Sequence, residues 1–183
     1  MAIARTLRRP EPALDAEITV RVPRELDIDA LVELVNTLAA EAPLLFVTPI
    51  DPAHAQADMR AYLATVASSD NQIVLVAEHG GRLAGLATAA GGIHPARRGV
   101  AEIGIGVRSS HRGLGIGHAL MDAVEAWART TRIHRLQRPV AAGNEAAISL
   151  YRKAGFEIEG VLRRSVVVEG SPVDQYMMAK LLA

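Results

Sequence analysis

The 183-residue chain has no cysteine, which excludes disulfide scaffolds, cysteine zinc sites and cysteine nucleophiles together. It has no net charge either: twenty Lys and Arg stand against twenty Asp and Glu. That is the wrong balance for a protein that lives on nucleic-acid phosphates or on an acidic membrane surface. Lysine occurs only at Lys153 and Lys180, a bias of usage. No apolar run approaches the ~20 residues of a membrane helix, and the start lacks a secretory apolar region. What remains is ordinary: half the chain is apolar and 22% is charged. The expectation is one soluble, cytoplasmic domain of globular composition, without nucleic acid, membrane or metal.

Residues 1–16 carry Arg5, Arg8, Arg9, Pro10 and Pro12 with little periodicity, and read as a flexible tail ahead of a domain spanning 17–183. Glu17 to Val22 alternates and is rich in β-branched residues, so it reads as a first strand. Asp27 or Asp29 can cap a helix running to Glu41, whose Leu31, Leu34, Val35 and Leu38 form one apolar stripe. A proline-bounded loop carrying Phe46 leads to a second helix from Ala53 to Ala67. Gln72 to Glu78 and Arg82 to Ala90 read as a hairpin turning at Gly80-Gly81, and Val100 to Val107 as a fourth strand. Helical spacing then runs from Gly115 to Thr131, a weaker strand from His134 to Ala141, and a helix from an Asn144 cap to a Gly155 stop. Two last strands join at Glu169-Gly170-Ser171. The fold class is α+β.

The segment Arg112-Gly113-Leu114-Gly115-Ile116-Gly117 lies between a strand and the first turn of a long helix. A helix start offers backbone N–H groups without intrahelical partners and a partial positive charge, and so attracts phosphate oxygens. Glycine lets the main chain come close to such an anion. Neither common phosphate loop is present. GxGxxG would need glycine at Leu120, and no Lys follows to complete GxxxxGK[ST]. A pyrophosphate turn of another type fits these residues, beside the plainer reading of a loop built for tight packing.

Arg112, Gly115 and Gly117 fill a pattern, Arg/Gln-x-x-Gly-x-Gly/Ala between strand and helix, that resembles the coenzyme A signature of the GNAT superfamily of N-acetyltransferases. Downstream, Asn144, Ala147, Tyr151, Gly155 and Phe156 are similar to a second hallmark of that family, N-x-x-A-x-x-x-Y-x-x-x-G-F. The two motifs stand in the family's order, and the resemblance runs from Glu17 to Leu182. It implies an α-β-α sandwich: a mixed, mostly antiparallel twisted sheet of about seven strands, helices on both faces, and a splayed strand pair at the cofactor. It implies acetyl-CoA as cosubstrate, no metal, a small-molecule amine such as an amino acid or antibiotic as acceptor, and a homodimer by family habit. The rival readings are a coenzyme A-binding sensor without transfer, a protein N-terminal or lysine acetyltransferase, and a dinucleotide-binding domain.

Acetyl transfer needs a neutral amine, donors for the developing oxyanion and a proton for the leaving thiolate. The resemblance gives the proton to Tyr151, seven residues past Asn144 and so on nearly the same helix side. It gives deprotonation to Glu102, directly or through water. Along its strand Glu102 shares a face with Gly104 and Gly106, which leaves room for a substrate. Arg112, Gly113, Leu114, Gly115, Ile116, Gly117 and His118 would cradle the pyrophosphate. Val107 would offer its main chain to the pantetheine arm, and Asn144 would hold that arm. His111 and His118 read as phosphate-side or surface residues, and Arg97-Arg98 as a solvated pair. Pro139 is tolerable inside a strand only if its neighbour has already parted from it. Arg138 stands where relatives often carry an apolar residue and is expected to face the acceptor pocket or its opening. Phe46 is expected to wall the acceptor pocket.

Overall fold

Strand β1 (Ile18–Arg21) leads through a 3-10 turn at Glu25–Asp27 into α1 (Ile28–Glu41). The expected aspartate cap takes a different job. Asp27 accepts from the Arg24 N–H at 2.6 Å and from Arg21 Nη1 at 2.6 Å, so it closes the short turn before the helix. Then come α2 (Ala55–Ala67), β2 (Gln72–His79), β3 (Arg82–Gly91), β4 (Val100–Val107), α3 (Ile116–Arg129), β5 (Arg135–Ala141), α4 (Glu145–Lys153), β6 (Glu157–Val168) and β7 (Ser171–Leu181). The computed structural model describes residues 16–41, 44, 48–51 and 53–182. The expectations for a tail before residue 16 and for Phe46 lie outside the described residues.

The seven strands form one sheet in the order β1-β2-β3-β4-β5-β7-β6. Each neighbouring pair is antiparallel except β4 with β5, which is parallel. A parallel pair requires a crossover, and α3 supplies it. Both tight hairpins carry the two left-handed residues that a type I′ turn demands: Gly80 and Gly81 at φ 58° and 74°, Glu169 and Gly170 at 49° and 79°. Strand β6 is less regular than its alternation implied. Register shifts occur after Ile158 and after Leu162, and at the second Arg164 takes φ 49° while its N–H donates to Asp174 Oδ1 at 2.7 Å.

Helices cover both faces. Leu31, Leu34 and Leu38 of α1 and Met59 of α2 pack with Val76, Leu83 and Leu86 on one face. Leu120, Met121 and Val124 of α3 and Ile148 and Tyr151 of α4 pack with Leu75, Ala87, Ile103, Leu136 and Met178 on the other. Strand β2 has both faces covered, which is why Val74 to Ala77 reads as an unbroken apolar run.

The seat of α3 is set by Gly85. A Cβ there would stand 2.9 Å from Leu120 Cδ1, 3.0 Å from Ile116 Cγ2 and 3.2 Å from the Gly106 carbonyl oxygen. Leu120 and Ile116 are buried and cannot swing away. Gly85→Ala is therefore expected to lower stability by about 1–3 kcal/mol, read as a drop in urea midpoint at constant slope. An unchanged midpoint would show that α3 does not sit this close to β3.

Candidate functional site

Strands β4 and β5 pair for only three steps: Val100 with Arg135, Ala101 with Leu136 and Glu102 with Gln137. Beyond Gln137 they part, while β5 stays in register with β7 through Ala141. Pro139 falls in that parted stretch opposite Met177, so its missing N–H removes no bond to β4. At the end of β4 the Arg108 N–H donates to the Ala84 carbonyl of β3 at 2.9 Å. By strand alternation, the N–H and C=O groups of Val107 and Ile105 point the other way, into the gap.

A cavity of about 620 Å³ occupies this gap. The glycine turn lines it through Arg112, Gly113, Gly115, Ile116, Gly117 and His118, β4 through Ile105 and Val107, and α4 through Asn144, Leu150 and Tyr151. Helix α3 begins at Gly115, whose φ of 85° is left-handed, and its first bond runs from the His118 N–H to the Gly115 carbonyl at 3.0 Å. The N–H groups of Gly115, Ile116 and Gly117 precede that bond and have no carbonyl behind them in the helix. Gly117 leaves Leu150 and Val107 open to the cavity: its Cβ would lie 3.4 Å from one and 4.0 Å from the other. This donor set, with an Arg and a helix N-terminus, suits a diphosphate. The Arg112 Nε itself donates to the Val107 carbonyl at 3.3 Å. Asn144 Oδ1 caps α4 by accepting from the Ala147 N–H at 3.2 Å.

Tyr151 is 3% exposed and its ring tilts against Phe156 at 5.2 Å between centroids. Burial pushes its phenol up to about 12, against the pull of the Arg138 guanidinium. Glu102 lies apart. Its side chain is 55% exposed, it is not among the lining residues, and its nearest cation is Arg138, Nη1 to Oε1, at 3.9 Å. Leu114 also stays out of the lining and packs into the core beneath α3. The open room expected beside Gly104 is bordered by Arg138, whose Nη1 would lie 3.8 Å from a Cβ at that position.

His111 lines the cavity beside the glycine turn, but it is not an exposed surface residue. It is 5% exposed, edge-on to His79 at 5.6 Å between ring centroids, and its Nδ1 lies 2.8 Å from the Ser110 hydroxyl. Burial first, then the neighbouring His79 and Arg108, lower its pKa, so it stays neutral near pH 7. His118 is exposed at the cavity rim, as expected.

Two groups that pattern reasoning missed fasten this corner. Arg108, 4% exposed, donates through Nε to the Leu83 carbonyl at 2.9 Å and through Nη1 to Thr37 Oγ1 at 3.0 Å. Glu41, the last residue of α1, accepts from the Ser109 N–H at 2.7 Å and lines the cavity. Neither belongs to a periodic pattern or a motif, and their contacts cross 68 and 71 positions of chain.

Comparison with known proteins gives this geometry its relatives. The profile of the acetyltransferase (GNAT) family matches residues 33–156. An L-amino acid N-acetyltransferase of Escherichia coli strain K12 is 38% identical over 88 residues, 48% of this chain and 54% of that protein. The chain thus spans about half the length of this curated relative. Among solved structures, an acetyltransferase of the GNAT family from Streptococcus pneumoniae superposes with a TM-score of 0.85 at 30% identity, over 91% of this chain and all (100%) of that one. A ribosomal-protein-alanine N-acetyltransferase from Brucella melitensis gives 0.80 at 30% identity, over 90% and 99%.

Burial works to raise the Glu41 carboxyl, but the Ser109 N–H, with Arg112 and Arg108 nearby, holds it below the usual carboxylate range. A depressed carboxyl contributes stability above its unfolded pKa and loses it as pH falls through the folded value. Wild type is therefore expected to exceed Glu41→Gln in urea stability at pH 6, with the gap closing toward pH 3. A gap that is constant with pH would assign the difference to packing.

Proposed function

The chain belongs to the acetyltransferase (GNAT) family, and on that footing we propose that it moves an acetyl group from acetyl-CoA to the primary amine of a small molecule in one direct step. One observation carries the reading. A helix start ready for a diphosphate and a buried phenol open onto the same cavity, at the mouth of two strands that have parted.

The roles follow from what each group can do. The N–H groups of Gly113 to Gly117, with Arg112 beside them, would take the pyrophosphate. His118 at the rim and the Leu114 main chain complete that turn. The main-chain groups of Val107 and Ile105, which face the gap, would hydrogen-bond the pantetheine arm as an added strand does, and Asn144 would hold that arm from the start of α4. Acetyl-CoA supplies the activated acyl group. The amine nitrogen forms a bond to the thioester carbon, the carbon–sulfur bond breaks, and the sulfur leaves with the electron pair. Tyr151 hands its phenolic proton to that sulfur, and Glu102, directly or through water, takes the proton that the amine sheds.

For the acceptor, the relative from Escherichia coli is named for L-amino acids and the neighbour from Brucella for a protein alanine. An α-amine is common to free amino acids and to protein N-termini. An α-amine titrates near ~7.7–8, so a single carboxylate suffices to deprotonate it. Zero net charge gives no pull toward a polyanion or a basic tail, which favours the small molecule.

Tyr151→Phe is expected to lower kcat for thiol release roughly 10²-fold, while acetyl-CoA binding by calorimetry changes less than threefold. Because the phenol is pushed up to about 12, wild-type kcat/KM should rise with pH as the amine deprotonates and show no falling limb before about pH 10. Thiol release that is unaltered in the variant would take the acid role from Tyr151. Acetyl-CoA binding without turnover on any amine would convert the reading to a sensor.

A further inference from the structure

We propose that Arg138 selects the acceptor: paired with Glu102 in the opening between β4 and β5, it takes the carboxylate of an α-amino acid while Glu102 receives the adjoining ammonium. The inference rests on the acetyl-transfer reading and narrows its acceptor from any small amine to a zwitterion.

The placement of Arg138 is unusual. It is the first residue of β5 beyond the last pair with β4, Glu102 with Gln137. By alternation it shares a strand face with Leu136 and Val140, which lie in the core beneath α3 and α4. Glu102 is on the opposite face, in line with Leu86 and the α1 core through the pairing of β4 with β3. The Arg138 guanidinium nonetheless stands 3.9 Å from the Glu102 carboxylate, so it reaches through the opening from one face of the sheet to the other. The fold prepares this path twice. Gly104 has no side chain where Nη1 would lie 3.8 Å from a Cβ, and Pro139 restricts the residue before it to extended backbone, which fixes where the Arg138 side chain begins.

The charged residues lining the cavity divide by position. Arg112 belongs to the glycine turn, Glu41 to the end of α1 and Lys153 to the far end of α4. Arg138 lines the cavity with Pro139, Val140 and Tyr151 where β5 has parted from β4, and this puts it at the reacting end. There it forms with Glu102 a cation and an anion side by side, the complement of an ammonium and a carboxylate borne on one carbon. A separation of 3.9 Å with a half-exposed carboxylate is loose for an ion pair. A planar guanidinium meets a carboxylate in two parallel hydrogen bonds, which would orient the neighbouring amine toward Glu102 and the thioester. An amine without a carboxylate satisfies half of this arrangement.

The test uses the whole protein with acetyl-CoA and thiol release as readout. The acceptors are a panel of L-amino acids, each set against its primary carboxamide and its decarboxylated amine. Wild type is expected to prefer the best acid over its carboxamide by at least tenfold in kcat/KM. Arg138→Gln is expected to collapse that preference at least tenfold, chiefly through KM for the acid, and Arg138→Lys to restore part of it. A variant that slows acid and carboxamide in equal proportion, keeping the preference, would overturn the proposal and leave Arg138 a role on Tyr151 alone. So would a wild type that treats acid and carboxamide alike. This last result leaves acetyl transfer standing, whereas acetyl-CoA binding with no acetylated amine removes both. Should Arg138→Gln not fold, the wild-type preference among the three acceptor types decides.

Discussion

The separation of β4 from β5 after three paired residues creates an obligation that the rest of the molecule answers. Buried backbone N–H and C=O groups must be hydrogen-bonded, and an orphaned one costs about as much as a lost bond. A ladder opened in mid-sheet therefore persists only where something else takes its place. On the β5 side proline does so by subtraction, since Pro139 has no N–H to satisfy. On the β4 side the Arg112 guanidinium covers the Val107 carbonyl, and the remaining groups of Ile105 and Val107 face the cavity. A ligand with amide groups of its own is the natural partner for such an edge, as an extended peptide is for an exposed sheet edge. The opened strand pair is thus a candidate binding site because of the hydrogen bonds it leaves unmade.

Holding the gap open needs the end of β4 to be anchored elsewhere, and a set of buried polar contacts does this. The Arg108 N–H continues the ladder to β3 while its side chain ties β3 to α1 through the Leu83 carbonyl and Thr37. Glu41 then fastens the end of α1 to Ser109, at the start of the loop that carries the glycine turn. Burying a guanidinium is costly unless its donors are met, and here Nε and Nη1 are met while Nη2 lies 3.4 Å from the Glu33 carboxylate. The glycine turn is therefore tied to α1 and, through Arg108, to β3.

Much of this was legible in advance, for a physical reason. The hairpins at Gly80-Gly81 and Glu169-Gly170 need left-handed residues, the caps at Asn144 and Gly155 need a side-chain acceptor and a positive φ, and both demands write themselves into local sequence. Helical spacing at Ile116, Leu120 and Val124 did the same for the core beneath α3. The parting of β4 from β5 was implied by the family resemblance, and Pro139 is tolerated because that parting is real. The lining of the candidate site was legible where it is made of backbone, at Gly115 and Gly117, or of a residue held in motif register, at Tyr151. It was opaque where function depends on contacts between distant segments. Nothing near Glu41 or Arg108 in the chain signals that they meet the turn, and His111 packs against His79 of β2, which is distant in sequence. The bulges of β6 were missed because alternation resumes after each of them.

The burial of Tyr151 sharpens the chemistry asked of it. A phenol pushed up to about 12 facing a thiolate with an ordinary pKa of ~8.5 would give up its proton uphill by roughly 3.5 units, about 5 kcal/mol. Taken alone, that makes the buried tyrosine a worse acid than one in water. But the sulfur leaves into the same low-dielectric space, and desolvation raises a thiol for the reason it raises a phenol: the charged form of each loses its water. The gap between the two narrows, while the cost of releasing a bare thiolate there grows. A proton donor is then needed most where it appears weakest. Arg138 lines the same cavity, and a cation there would lower the energy of either anion and of the partial charges shared between them in the transition state. On the proposed reading the three features work together: the strand gap would admit the sulfur, burial would make it demand a proton, and the guanidinium beside Pro139 would ease the transfer.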